Sequence, residues 1–290
     1  MWNLLRLVTF AYDNDIQVGI ISEDGTKVIP ANKYSDMFDL IKRSSLDELM
    51  QIEGMSMGAV PFSHVKLLAP IPCPLNDIIC LGINYKAHDE ELPDAYLPEK
   101  VVQRNVPVYF SKRVDRCTDP GGFIDGHFDL VHQLDYECEL AVIIGKEAKN
   151  VPEADVFDYI YGYTIINDVT ARDVQVAHKQ WYFGKSLDTF APMGPCIVTA
   201  DEFPAQPALH LTTTVNGELR QDSNTGLLVH SIPYIVSELT QGMTLRPGTI
   251  IATGTPAGTG IGFNPPKFLQ PGDVIECSIE GIGTLCNTVK

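Results

Sequence analysis

Short apolar segments that alternate with polar positions, broken repeatedly by Gly, Pro, Asn and Asp, dominate the chain and predict a β-rich protein. Residues 4–30 read as a meander of LLRLVTFAY, IQVGIIS and TKVIPA, separated by the turn formers DND and EDG. Two short helices follow. Ser35 is placed to cap DMFDLIKR, and Ser45 with Glu48 makes a capping box for LDELMQ. In VKLLAPIPCPLND the residues Pro70, Pro72 and Pro74 favour extended backbone, so the stretch reads as a linker. The expected organisation is a small N-terminal α+β unit over residues 1–70 and a larger, β-rich unit over 71–290.

Within the larger unit DIICLG, VPVYFSK, YECELAVIIG, YIYGYTIIND and GPCIVTADEF read as strands. Pro93 should end any helix begun near Tyr85. The tract 105–134 has little regular pattern, and DVTARDVQVAHKQW is helical or irregular. HLTTTVNGELRQ reads as a hairpin around Asn216-Gly217. Ser231 precedes a helix, IPYIVSELTQ, that tolerates Pro233 in its first turn. TIIAT, VIECSIE and LCNTV close the chain as strands between turn-rich segments.

Composition narrows the classes of partner. A formal net charge of −16 argues against nucleic acid or an anionic membrane surface. The N-terminal MWNLLRLVTFAYDND has neither a basic leader nor a small-residue cleavage site, and no apolar run approaches a membrane span. Seven cysteines without a CxxC pair fit a reduced, cytoplasmic chain better than a disulfide framework or zinc knuckle.

The chemistry starts in DYECELAVIIG. Glu137 and Glu139 stand two residues apart in a strand, so they share a face roughly 6–7 Å apart. Their repulsion is about 2–3 kcal/mol at an effective dielectric of 20. Either that face meets water or a cation sits between them. Asp168, at the end of YGYTIIN, is a third carboxylate at a strand end. Together the three make an all-oxygen set suited to Mg²⁺, Mn²⁺ or Ca²⁺; the plainer alternative is an exposed strand face beside an unrelated turn Asp.

Lys185, among the aromatics of QWYFGKSLDTFAP, either balances such a site or snorkels from a surface. In NYKAHDEE, His88 and Glu91 share a helical face and can act as a general base with its orienting carboxylate, although HDEE also suits a solvated turn. The glycine-rich ATGTPAGTGIGF is neither a P-loop nor a dinucleotide fingerprint. Its amides and the hydroxyls of Thr253, Thr255 and Thr259 can hold a carboxylate, or form only a tight turn. GxSxG and HExxH are absent, which weakens serine-hydrolase and zincin readings.

GINYKAHDEE, LDYECELAVIIG, YGYTIINDVTARDVQ, KQWYFGKSLDTFAPMGP, VNGELRQ and IIATGTPAGTG together resemble the fumarylacetoacetate hydrolase superfamily over about residues 65–290. The nearest likeness is to its acylpyruvase, oxaloacetate decarboxylase–tautomerase and 2-hydroxyhepta-2,4-diene-1,7-dioate isomerase branch. The resemblance implies a β-rich α+β fold, a mixed β-roll with a small N-terminal domain, in a homodimer. It places the metal triad on Glu137, Glu139 and Asp168, and the lid dyad on His88 and Glu91. It also gives Lys185 as the active-site lysine, and Gln175 and Thr255 as substrate-binding residues. One departure stands out: Ile83 occupies a position where some members carry arginine.

The implied activity uses Mg²⁺ (or Mn²⁺ or Ca²⁺) and a 2-oxo or 2,4-dioxo acid, a dicarboxylic or diketo substrate, through a metal-stabilised enolate. C–C hydrolysis of an acylpyruvate is the leading expectation. Oxaloacetate decarboxylation or tautomerisation and dienoate isomerisation are the alternatives. A non-catalytic metal-dependent ligand-binding protein is the rival from another class.

Overall fold

The computed structural model describes residues 5–55, 58–92, 106–204 and 206–290. Its main element is a mixed sheet of eleven strands. From one edge it runs Val60–Pro61, Lys27–Pro30, Asp15–Ile21, Arg6–Tyr12 and Met193–Thr199. It continues through Ile160–Asn167, Cys138–Ile144, Ile250–Ala252, Ile78–Gly82 and Val108–Lys112, with Lys66–Leu68 paired to Arg6–Tyr12 off that path. Ile250–Ala252 and Ile78–Gly82 run parallel. The five-stranded second sheet holds Glu218–Asn224, His210–Val215, Val274–Ile279, Gly283–Val289 and Phe123–Ile124. This is the β-rich α+β architecture that the pattern predicts.

The strand Cys138–Ile144 is buried along its whole length. Cys138, Leu140, Val142 and Ile144 enter one core with Leu211, Ile275 and Leu285 of the second sheet. Ala141 and Ile143, on the opposite face, enter another with Met37, Leu40 and Leu49 of the N-terminal helices. Covering on both faces explains why the run is apolar throughout instead of alternating. The N-terminal meander joins the same sheet, with Arg6 opposite Val198 and Leu7 opposite Ile197. The division at residue 70 is therefore kept only as a proposal about sequence organisation, because the two segments share a sheet and a core.

Local signals account for most boundaries. Asp36, not Ser35, caps Met37–Arg43, its carboxylate accepting from Asp39 N at 2.8 Å. Ser45 caps Leu46–Glu53, and Ser231 caps Ile232–Gly242. Asn216 and Gly217 take φ of 51° and 79°, the left-handed pair that a two-residue hairpin turn requires. QWYFGK, which has no clear period, forms the short helix Trp181–Lys185. The helix near Tyr85 spans Lys86–Glu91; Pro93, expected to end it, lies outside the described residues.

Gly162, in Ile160–Asn167, shows how closely the central strands pack. A β-carbon there would sit 2.2 Å from Val198 O and 2.9 Å from Ile197 Cγ2. Gly162→Ala is expected to cost about 1–3 kcal/mol in urea unfolding. An unchanged midpoint would show that this pairing can yield.

Candidate active site

The strand that forms the core also delivers the acids. Glu137 and Glu139 leave the face opposite Cys138 and Leu140, and Asp168 N donates to Glu137 O at 2.8 Å, fixing the third carboxylate alongside. One carboxylate oxygen from each lies within 4.8 Å of the others. Their exposures are 4, 1 and 0% for Glu137, Glu139 and Asp168, so the strand face is not open to water.

Cations compensate the triad unevenly. Lys185 Nζ donates to Glu137 Oε2 at 2.6 Å and Asp168 Oδ2 at 2.7 Å, so the lysine is buried and does not snorkel outward. Lys112 Nζ lies 2.6 Å from Asp168 Oδ1 without hydrogen-bond alignment, and also donates to Val169 O and Lys185 O. Arg172 Nη2 lies 2.7 Å from Glu137 Oε1, while its Nε donates to Asp135 Oδ2 at 2.9 Å. Burial pushes the Glu137 carboxyl up, but Lys185, Arg172 and His88 outweigh it and hold the group at about 2. Burial, with repulsion from Asp168 and Glu137, instead drives Glu139 well above the ordinary carboxylate range. Its hydrogen bond from Gly254 N, at 2.8 Å, does not offset that repulsion.

These residues fit a hard divalent ion. The donor set is all oxygen, Asp168 Oδ1 is buried without a hydrogen bond, and Glu139 is short of positive charge. With Arg172 balanced by Asp135, the triad and two lysines carry one net negative charge once Glu139 is ionised. A divalent ion would reverse that sign and favour an anionic ligand.

The dyad arrives on Lys86–Glu91, with His88 Nδ1 2.7 Å from Glu91 Oε1. Asn84 anchors the approach, donating to Thr253 O and His230 O and accepting from His230 N. The glycine-rich loop does cradle a carboxylate, but it is the chain's own. Glu91 accepts from Gly258 N at 2.7 Å, Thr259 Oγ1 at 2.8 Å and Thr259 N at 3.4 Å. Thr253 and Thr255 donate instead to Leu140 O and Cys138 O. With its proton given to Cys138 O, Thr255 Oγ1 accepts from Gln221 Nε2 at 2.8 Å and can only accept from a further ligand.

His88, Glu137, Glu139, Gln175, Lys185 and Thr255 line one cavity. Its apolar wall includes Ile83, Phe110 and Trp181. Ile83 has φ of 56°, a costly conformation for a β-branched side chain. Gly82 lets the Trp181 ring lie against the backbone, since a β-carbon there would be 1.9 Å from it. Phe110 meets that ring edge-on at 5.2 Å.

Residues 77–290 match the fumarylacetoacetate (FAA) hydrolase C-terminal family. The chain belongs to this family. It is 47% identical over 228 residues to the oxaloacetate tautomerase YisK of Bacillus subtilis, covering 78% of this chain and 74% of that protein. Among solved structures it is similar to a fumarylacetoacetate hydrolase from Exiguobacterium antarcticum, with TM-score 0.84, 39% identity and 99% of each chain covered. It also resembles a 2-hydroxyhepta-2,4-diene-1,7-dioate isomerase from Mycobacterium marinum, with TM-score 0.74, 31% identity and 98% of each chain covered. Within the fumarylacetoacetate hydrolase family this chain is thus an enzyme with a buried acidic triad able to hold a divalent ion. No helix among the described residues is long and apolar enough to cross a membrane.

Sequence reasoning missed Asp135, Lys112 and Arg172. The period-two argument for Glu137 and Glu139 extends back one step to Asp135. Arg172 stands three residues before Gln175 on Arg172–Ala177, so both share a face. Lys112 shares a strand face with Phe110 on Val108–Lys112, a weak sign that it points inward.

Two outcomes are expected. Glu139 must lose its proton to ligate, and its carboxyl is raised, so Mn²⁺ affinity should climb as pH rises above the ordinary 4.5. The limiting slope is about tenfold per pH unit until the group is ionised; a flat calorimetric titration series from pH 5 to 8 would contradict it. Separately, Gly262→Ala would put a methyl 2.2 Å from Glu91 Oε2. The flexible carboxylate should give way with little change in melting temperature, while kcat/KM falls by about 10²-fold. Full activity in that variant would show that Glu91 need not sit in the loop.

Proposed function

We propose that this enzyme interconverts the keto and enol forms of a small 2-oxo dicarboxylic acid of the oxaloacetate type. Glu137, Glu139 and Asp168 are the proposed ligands of a divalent ion, with Mg²⁺ or Mn²⁺ favoured. The observation that carries the reading is His88, held by Glu91, lining the same cavity as Glu137 and Glu139 of the acidic triad. The similarity to an oxaloacetate tautomerase supports the choice of substrate class.

When bound, the ion would supply Lewis-acid stabilisation of charge developing on the substrate's oxygens. Glu91 accepts from Nδ1–H of His88, which leaves Nε2 as the nitrogen able to take a proton. In the proposed step His88 takes a proton from C3 of the keto acid and delivers it to the 2-oxo oxygen, giving the enol, and the reverse direction moves the same proton back to C3. Lys185 keeps its ammonium despite burial, because Asp168 and Glu137 outweigh the desolvation that would neutralise it. It and Arg172 supply positive charge to the substrate's oxygens, and Gln175 orients them. Nothing in this step requires a nucleophile.

C–C hydrolysis of an acylpyruvate is the second reading, supported by likeness to a fumarylacetoacetate hydrolase along 99% of the chain. There His88 would take a proton from water rather than from carbon. The two separate on a panel of oxaloacetate, acylpyruvates and fumarylpyruvate with Mg²⁺ or Mn²⁺. The expected result is metal-dependent acceleration of enol-oxaloacetate absorbance decay without pyruvate release, lowered about 10²–10⁴-fold by His88→Asn. Cleavage of acylpyruvates with no effect on the oxaloacetate enol would replace the first reading by the second.

A further inference from the structure

The loop that holds Glu91 has a second occupant. Four consecutive residues present their amides to two carboxylates: Gly258 N and Thr259 N to Glu91, then Gly260 N and Ile261 N to Asp135. Gly260 N reaches Asp135 Oδ1 at 2.6 Å and Ile261 N reaches Oδ2 at 3.1 Å. Tyr136 N also donates to Oδ1, at 2.9 Å, and Arg172 Nε to Oδ2, at 2.9 Å. Asp135 is fully buried, and each of its oxygens accepts from two donors. The close approach depends on glycine at positions 260 and 262. A β-carbon at Gly260 would lie 2.7 Å from Asp135 Oδ1, and one at Gly262 would lie 2.2 Å from Glu91 Oε2.

We infer that Asp135 is a positioning residue that couples the His88–Glu91 dyad to the acidic triad. On one side it fixes Gly260 and Ile261, and through the continuous backbone the Gly258 and Thr259 amides that seat Glu91. On the other it fixes Arg172, whose Nη2 lies 2.7 Å from Glu137 Oε1. The seat of the dyad and the charge around Glu137 therefore share one carboxylate. Asparagine cannot replace it. With two donors at each oxygen, an amide NH₂ in either orientation faces two N–H groups and loses both.

This inference rests on the cavity being the reaction site, but its main readout is independent of any substrate. Amide hydrogen exchange is measured over residues 83–92 and over the distant strand Arg6–Tyr12 in full-length wild type, Asp135→Asn, Gly262→Ala and the double variant. Asp135→Asn should speed exchange around the Lys86–Glu91 helix by about tenfold or more and leave Arg6–Tyr12 unchanged. The double variant should exchange there no faster than Gly262→Ala alone, because both release the same seat. On a substrate that is turned over, the losses in kcat/KM should be non-additive in the same way.

Exchange that rises across the whole chain, rises multiplicatively in the double variant, or is unchanged around the helix overturns the inference. Should Asp135→Asn not fold, Gly260→Ala, whose β-carbon would lie 2.6 Å from Lys267 O and 2.7 Å from Asp135 Oδ1, displaces the loop with the carboxylate intact, and the same local rise is required of it. Should no acid on the panel react, the functional reading falls while the exchange result still decides the role of Asp135.

Discussion

Three carboxylates buried within 4.8 Å of one another set the constraint from which the rest of the site follows. At an effective dielectric of 20, each pair of charges about 4 Å apart repels by about 4 kcal/mol, while a whole domain is stable by only about 5–15 kcal/mol. The fold must therefore bring cations from elsewhere. Lys112 ends a strand, whereas Arg172 and Lys185 come from helices of six and five residues. Helices that short have little stability of their own, so packing and the ion pairs hold them. Compensation is concentrated on Glu137 and Asp168. Glu139, left with a backbone amide, makes the cluster receptive to a further positive charge.

The glycine-rich loop solves a related problem. A helix of six residues carrying His88 has little to fix it except what its side chains grip. Glu91 grips both the imidazole and the loop, which selects the His88 tautomer and seats the helix with one carboxylate. Glycine at 262 permits that approach, because a β-carbon there would collide with Glu91, while β-carbons at Gly258 and Gly260 would meet the backbone oxygens of Arg220 and Lys267 that pack against the loop. The hydroxyls nearby hold the scaffold as well: Thr253 and Thr255 tie the loop's base to the strand bearing the acids.

How legible this was from the sequence depended on the range of the interactions. Strand order in the chain, the hairpin at Asn216-Gly217 and the caps at Ser45 and Ser231 are local, and their residues announce them. The shared face of Glu137 and Glu139 follows from strand period alone, and the i, i+3 spacing of His88 and Glu91 from helix period. Asp36 displaced Ser35 as a cap because the two are adjacent and equally suited by type. Lys112, by contrast, meets Asp168 from 56 positions away, and Trp181–Lys185 is helical only because of what it packs against. The carboxylate that occupies the loop could not be read from spacing, since a loop's amides do not specify whose carboxylate they bind. Family resemblance supplied the long-range part, and it carried Gln175 forward while passing over Arg172 on the same helical face.

On the proposed reading, charge developing on a 2-oxo acid would meet the acidic triad and its cations, and the outcome would turn on the atom from which His88 takes its proton. What can approach that atom is limited by the cavity's apolar lining. Here the wall is Ile83, Phe110 and Trp181, with Ile83 held in a left-handed conformation that costs about 1–3 kcal/mol for a non-glycine residue. An apolar side chain kept there at that cost offers no charge to a distal carboxylate. Among the described residues, Arg172 and Lys185 are the lysine and arginine side chains that line the cavity, and they are the ones placed to meet a second acidic group. On the proposed reading, a short dicarboxylic acid would let both of its carboxylates reach them.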